Sequence, residues 1–328
     1  MAKIAILGTG AWGTALANVL LTNKNKVNMW GIDQSEIDDL KKGYNKKYFG
    51  NVKLPNNLNI VSNNLYDVVK DSEYILLAIP SKFLIEVIDK LQKILVNRKV
   101  VIINVAKGFD IKSRKSWSQV IEKKMKKNIL GVVSLLGPSF AEEVFHHHIT
   151  LINAVGTNKI YVDKVSKLFT NHFFKTIPLY VEVGPEIFAA LKNVAAIGAG
   201  IVFYYCKAIN TRVAMLTATF QEIILIYKKI CAKNYNPNIN FQLCSFGDFT
   251  LTCSSDKSRN FHFGKLIAKD GLEKAHQEFT STTEGYNAAP IIHEIIKSKK
   301  IKAPIITAIY QVLYEKLNPE KLAKHILK

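Results

Sequence analysis

Residues 3–17 read KIAILGTGAWGTALA, and the way this stretch folds decides the first half of the chain. The apolar run Ile4 to Leu7 passes directly into Gly8, Gly10 and Gly13, and an alanine-rich helical pattern follows. Each glycine has its own mechanical task. Gly8 permits a tight strand-to-helix turn, Gly10 lets the backbone approach a pyrophosphate with no side chain in the way, and Gly13 lets the helix lie close to the strand. Negative charge then sits on free N–H groups at a helix N-terminus, where the macrodipole favours it. Glycine-rich turns of this spacing also occur as plain structural turns. Here a strand precedes and a helix follows, the context a dinucleotide-binding turn requires.

Working outward, short apolar runs alternate with helical patterns, which is how parallel β-α-β units are written. After Ile4 to Leu7 come Lys26 to Trp30, Glu73 to Pro80, Val100 to Gly108, Gly131 to Ser139, a weaker run Leu151 to Gly156, and Phe173 to Leu179. Most are continuously hydrophobic, as strands buried on both faces should be. From about Glu186 strand signals fade and helical periodicity takes over, through 192–205, 212–229, 272–276, 290–297 and 304–317. The expected architecture is an α/β N-terminal Rossmann domain over residues 1–182, with a mostly parallel doubly wound sheet, followed by an all-helical C-terminal domain over 183–328.

Composition sets the outer bounds. A chain of 328 residues with 48% hydrophobic and 22% charged residues is ordinary for a globular protein of two domains. The N-terminus enters a strand at once, with no signal-peptide pattern. Val194 to Cys206, bracketed by Lys192 and Lys207, is too short to span a bilayer and reads as a buried helix. The four cysteines form no C-x-x-C pair and have no histidines at zinc spacing, so neither a metal nor a disulfide framework is expected and a cytoplasmic setting fits. The run His146 to His148 reads as a polar surface insertion, because consecutive residues do not converge on one ion. A formal net charge of +19 is compatible with nucleic acid or an anionic surface. The lysines are scattered, however, without interleaved aromatics in a groove pattern, so they read as solvated surface charge.

In an open α/β sheet a ligand sits beyond the carboxyl ends of the strands. Asp33 follows Gly13 by twenty residues, the position from which a carboxylate holds an adenosine ribose 2′-hydroxyl; a helix N-cap explains it equally well. Lys107 closes an otherwise apolar run, which suits contact with an anion or a substrate oxygen better than an ordinary surface position.

Several strings taken in order resemble the bacterial-type NAD(P)-dependent glycerol-3-phosphate dehydrogenase family. They are GTGAWGTALA (8–17), a spaced N…KY…LP (45–55), AIPS (78–81), AKGFD (106–110), LGPSFAEEV (136–144), ALKNVAAIGAGI (190–201), NTR (210–212), GDF with TC (247–253), SRNFHFG (258–264) and EG (284–285). The resemblance implies a nicotinamide cofactor, NAD or NADP, and hydride transfer between dihydroxyacetone phosphate and sn-glycerol 3-phosphate, a step that supplies phospholipid synthesis. It also implies no nucleic-acid partner, no membrane insertion, and a possible homodimer through the helical half.

Ketone reduction asks for a cationic acid beside the carbonyl oxygen. By resemblance Lys192 is that acid, Lys107 a second cation that orients substrate, and Asp248 the carboxylate that orients Lys192, with Thr252 one helical turn later. Ser258, Arg259 and Asn260 look like phosphate contacts, Arg259 serving cofactor as well as substrate, and Gly137 and Ser139 like a substrate-side loop. Gly8, Gly10, Ala11, Trp12, Gly13, Asp33, Lys107, Ala141 and Glu284 look like cofactor contacts. The pattern also breaks. Phe203 and Tyr204 stand where the family has Asp-Gly, and Ala218 and Thr219 where it has Arg-Gly, a paired loss that compensation would explain. Gln242 and Ser245 replace glycines ahead of Asp248 and are expected to displace it. Ala189 replaces a glycine, Leu136 a Ser or Thr, Ile149 a proline, and Ile32 an arginine suited to a 2′-phosphate. Three alternatives stay open: a catalytically weak dinucleotide-binding relative, a basic nucleic-acid protein on the same scaffold, and another two-domain hydroxyacid-type dehydrogenase.

Overall fold

Eight strands form one sheet: β1 Lys3–Leu7, β2 Lys26–Trp30, β3 Ile60–Ser62, β4 Tyr74–Leu77, β5 Val100–Asn104, β6 Ile129–Leu136, β7 Thr150–Val155 and β8 Phe174–Leu179. They belong to a computed structural model that describes residues 1–110, 112–181, 184–279 and 283–327. The strand order is β3-β2-β1-β4-β5-β6-β7-β8. Every neighbouring pair is parallel except β6 with β7, which is antiparallel. The chain leaves β1 toward β2 on one side and later returns to β4 on the other, so the order reverses between β1 and β4. That reversal opens a crevice beyond the carboxyl ends of these two strands.

The alternation of side chains explains why the strands are apolar throughout. Ile4 and Ile6 of β1 enter one core, with Leu16, Leu20, Val27 and Met29, while Ala5 and Leu7 enter another, with Ile75, Leu77, Leu84 and Ile88. Both faces are covered, so a polar residue at either parity is costly; each fully buried Ile or Leu contributes about 1.5–3 kcal/mol. Strand β3 escaped the sequence reading because it has only three residues, of which Val61 alone is buried. Its pairing with β2 places it, rather than any pattern of its own.

Two units are distinguished by their internal contacts. One comprises Met1–Ala106 with Trp117–Glu182 and holds the sheet; the other comprises Lys107–Ser116 with Val183–Lys328. The segment after β5 therefore goes with the later part of the chain, which a single cut along the sequence does not express.

The second unit is helical. Its main helices are Gly184–Tyr205, Ile209–Cys231, Asp248–Ser254, Arg259–Asp270, Glu284–Ser298 and Pro304–Tyr314. The first of these corrects the sequence reading, which began it at 192 and found it too short to span a bilayer. It has 22 residues and is long and apolar enough to cross a membrane, but its apolar window is 89% buried inside the fold. It is the core helix of this unit. Its tightest neighbour is Arg259–Asp270, and the reason is two facing glycines. A Cβ on Gly200 would lie 2.1 Å from the Phe261 carbonyl oxygen, and one on Gly264 2.1 Å from the Ile197 carbonyl oxygen. The helices thus touch backbone to backbone. Pro290 sits inside Glu284–Ser298 and cannot donate to the carbonyl of Tyr286, four residues before it. The Tyr314 hydroxyl takes that carbonyl instead, at 2.9 Å.

Candidate active site

In the sheet unit, Gly10 is the N-cap of the helix Ala11–Thr22 and offers no side chain to its free N–H groups. The glycine turn tests its own fit to a dinucleotide. Gly8 has φ +124°, and a Cβ there would lie 2.3 Å from the Ala78 carbonyl oxygen; a Cβ on Gly13 would lie 2.3 Å from the Gly8 carbonyl oxygen. A Cβ on Gly10 would meet nothing within 4 Å. Two glycines are thus demanded by the fold, while the third faces open space at a helix N-terminus, where a pyrophosphate fits and the fold gives no reason to exclude a side chain. Ala11, Trp12 and Ala141 lie partly buried against the same core. Gly137, buried just after β6, has a Cβ position 2.8 Å from the Ile152 Cα, and Ser139 donates to the Gly137 carbonyl at 3.3 Å. Asp33 takes the cap geometry that the sequence left open: it caps Gln34–Lys41, its Oδ1 accepting from the N–H groups of Ser35 at 2.9 Å and Glu36 at 3.3 Å.

In the helical unit, Lys192 and Asp248 form a buried ion pair. Lys192 is 3% exposed and Asp248 1%. The Lys192 Nζ contacts the Asp248 Oδ1 and donates to the Thr252 hydroxyl at 2.9 Å. Thr252 in turn donates to the Asp248 backbone carbonyl at 2.6 Å, so the helical turn between them fixes both partners of the lysine. Half-buried Lys107 approaches from the segment 107–116, its Nζ 3.6 Å from the Asp248 Oδ2. That oxygen is buried with no hydrogen-bond donor among the described residues.

The electrostatics follow from this arrangement. Burial pulls the Lys192 ammonium down to about 8; the Lys107 cation adds to the fall and the Asp248 carboxylate opposes it. Burial also works against Lys107, but the carboxylates of Asp248 and Glu284 outweigh it and hold that ammonium above its ordinary value. Two lysines sharing one carboxylate therefore divide the work: one stays charged, the other exchanges a proton near neutrality. The neighbouring thiols do neither, since burial pushes Cys244 up to about 12 and Cys253 above its usual range.

Around this pair the remaining polar residues interlock. Asn193 donates to the Glu284 Oε2 at 3.0 Å, and Gly285 N–H donates to the Asn260 Oδ1 at 3.0 Å. A Cβ on Gly285 would lie 2.4 Å from the Asn193 carbonyl oxygen. Three short sequence motifs, LKN, SRN and EG, are thereby held against one another. Ser258 caps Arg259–Asp270 by accepting from Phe261 N–H, and Arg259 is exposed, with no ion pair among the described residues.

The description "NAD-dependent glycerol-3-phosphate dehydrogenase N-terminus" matches residues 3–161, and its C-terminus counterpart matches 182–324. The chain belongs to this family. It is 41% identical over 328 residues to the Malacoplasma penetrans NAD(P)+ glycerol-3-phosphate dehydrogenase, covering 99% of this chain and 96% of that one. The Staphylococcus aureus protein of the same name is 32% identical over 330 residues, covering 100% and 98%. The solved glycerol-3-phosphate dehydrogenase of Coxiella burnetii superposes with a TM-score of 0.89 at 26% identity, covering 100% of this chain and 99% of that one.

Against the family pattern, the departures prove to be local. Asp248, downstream of Gln242 and Ser245, contacts Lys192. Gln242 has φ −73°, and neither residue adopts the left-handed region that would require glycine. They flank and enter a π-helical turn, Leu243–Gly247, which leads straight into the Asp248 helix. Such wide turns recur at functional sites, and no sequence rule announces this one. Phe203 serves as a platform: the Arg212 guanidinium lies 4.8 Å from its ring centroid and donates to the carbonyls of Phe203 and Cys206, both at 2.9 Å. Thr219 is buried and contacts the Met215 sulfur. Ala189 is buried a turn before Lys192, Leu136 ends β6 inside the core, and Ile32 and Ile149 are 80% and 82% exposed. His146 to His148 lie exposed at the surface, as the sequence reading has it, and His147 is further anchored there, stacking on Phe173 with ring centroids 4.0 Å apart and its Nε2 3.0 Å from the Asn18 Oδ1. Among the described residues no group of His, Cys, Asp or Glu is arranged to hold a metal.

Proposed function

We propose that this chain reduces dihydroxyacetone phosphate to sn-glycerol 3-phosphate with a nicotinamide dinucleotide, and catalyses the reverse oxidation. The observation that carries this reading is Lys192, a buried ammonium pulled down to about 8 and fixed by Asp248 and Thr252. A reduced nicotinamide, when bound, supplies the hydride that adds to the carbonyl carbon of the ketone. The chain's part is to polarise and protonate the oxygen: the N–H of Lys192 donates to the carbonyl, its proton moves to the developing alkoxide, and a neutral amine remains. In the oxidation that amine accepts the hydroxyl proton as the hydride leaves. Asp248 holds Lys192 in place, and its undonated Oδ2 is the acceptor for a substrate hydroxyl. Lys107 stays cationic and orients the substrate oxygen.

Substrate phosphate falls to Arg259, whose planar guanidinium is exposed and has no ion pair among the described residues, with Ser258, Asn260, Gly137 and Ser139 completing the assignment. The dinucleotide falls to Gly8, Gly10, Ala11, Trp12, Gly13, Asp33 and Ala141, with Lys107, Arg259 and Glu284 as further contacts. The reading includes a cytoplasmic enzyme that feeds glycerol phosphate to phospholipid synthesis, a possible homodimer, and no role for nucleic acid. Cys206 and Cys253 are free thiols, which suits a reducing compartment. The test is turnover: loss of reduced nicotinamide absorbance on adding dihydroxyacetone phosphate supports the reading, and tight dinucleotide binding without turnover contradicts it.

A further inference from the structure

The segment 107–116 carries more than Lys107. Its arms pair back on each other: Phe109 bridges Ser116 in antiparallel fashion, Asp110 N–H donates to the Lys115 carbonyl at 2.9 Å, and Arg114 N–H donates to the Asp110 carbonyl at 2.8 Å. The Asp110 Oδ2 accepts from Ser113 N–H at 2.8 Å. These paired residues therefore move together. Between them and Lys107 stands Gly108, at φ +96° and with no atom within 4 Å of its Cβ position, which makes it the joint of the segment.

Two ion pairs tie the segment to helices of the same unit. At one end Lys107 lies 3.6 Å from the Asp248 Oδ2. Toward the other, the Arg114 Nη2 lies 2.7 Å from the Oε2 of Glu294, on the helix Glu284–Ser298. Residues 112–115 are all exposed, so burial of their side chains does not hold that end down. Arg114 is also ill suited to its own backbone. Its φ of +56° lies in the left-handed region, where a Cβ crowds the carbonyl and glycine or asparagine is favoured. Local preference argues against an arginine here, and the reach of its guanidinium to Glu294 argues for one.

We propose that Arg114 and Glu294 are positioning residues for the ketone reduction: their ion pair is a latch that holds the segment 107–116 so that Lys107 stays against Asp248. The proposal rests on the reading above that Lys107 orients the substrate oxygen beside Lys192. A segment fastened at one point meets its second contact at a raised effective concentration, so each ion pair strengthens the other. Fixing Arg114 also fixes the Gly108 joint, and with it the direction in which Lys107 leaves the backbone. The latch thus acts through Lys107, which helps to pull the Lys192 ammonium down.

Steady-state reduction of dihydroxyacetone phosphate across a pH series, with thermal denaturation alongside, tests this on the full chain. Arg114→Gly relieves the left-handed strain while removing the latch, so stability should hold or rise. The KM for dihydroxyacetone phosphate should nevertheless increase by about two- to fivefold, the range of an exposed ion pair. With Lys107 loosened, Lys192 loses a neighbouring cation, and the pH at which reduction declines should move upward from about 8. Glu294→Gln should raise KM and move the inflection in the same way, the double variant should be no worse than either single one, and Arg114→Lys should stay close to wild type. A merely structural role lowers stability and leaves the inflection in place. Unchanged KM and inflection in Arg114→Gly, or effects that add in the double variant, overturn the proposal while wild-type turnover keeps the reading of Lys192 intact. If the wild type turns over no ketone, that reading falls first and takes this inference with it.

Discussion

At the scale of single residues, burial is what turns a common lysine into an acid near neutrality. Lys192 is a cation below about 8 and a free amine above it. Reduction needs the cation and oxidation the amine, so the two directions should have opposite pH dependences. Ketone reduction should decline as pH rises through about 8, and oxidation of glycerol 3-phosphate should rise over the same interval, both read from initial rates across a pH series. Asp248 opposes the depression. Asp248→Asn should therefore move both inflections to lower pH while lowering kcat, and inflections that move upward or stay in place would contradict the pairing. In the sequence Lys192 stands out only because ALKN sits within the ordered family pattern. On a helix it looks like any surface lysine, because neither its burial nor the approach of Asp248 and Lys107 is written locally.

At the scale of elements, the glycine turn separates what the fold requires from what a ligand requires. Gly8→Ala puts a methyl group against the Ala78 carbonyl at a left-handed φ, and should both destabilise the sheet unit and abolish dinucleotide binding. Gly10→Ala meets no atom of the chain, so thermal stability should be unchanged to within about 0.5 kcal/mol while NADH affinity falls about tenfold or more. Denaturation and calorimetry on the two variants check this; a loss of stability in Gly10→Ala would mean the turn is merely structural. A second element-scale case is the helix Pro304–Tyr314, whose first N–H groups at Ile305 and Ile306 donate to the buried Glu222 carboxylate at 2.8 and 2.9 Å. Glu222→Ala leaves both unsatisfied and should cost about 1–3 kcal/mol in chemical denaturation. The apolar strands and the switch to helical periodicity were legible because their burial is two-sided or strongly periodic. The edge strand β3, the early start of Gly184–Tyr205 and the π-helical turn before Asp248 were not, because each is set by a neighbour rather than by its own residues.

At the scale of the molecule, the sheet unit carries the glycine turn and the helical unit the Lys192–Asp248 pair, and the segment 107–116 belongs with the second although it follows a strand of the first. A contact between residues so far apart in sequence as Lys107 and Asp248 has no periodic signature, so only the fold brings it to light. The net charge of +19 acts on the whole chain. It should speed encounter with an anionic triose phosphate, so that kcat/KM falls by about threefold or more between roughly 10 mM and 0.15 M salt. The central claim is that Lys192 delivers the proton in a nicotinamide-dependent ketone reduction, and its most direct test is steady-state oxidation of NADH with dihydroxyacetone phosphate by the wild-type chain and by Lys192→Ala. The account predicts turnover by the wild type and a fall in kcat of about 10²–10⁴-fold in the variant, with NADH affinity retained. Undiminished turnover in Lys192→Ala, or none in the wild type, would contradict it.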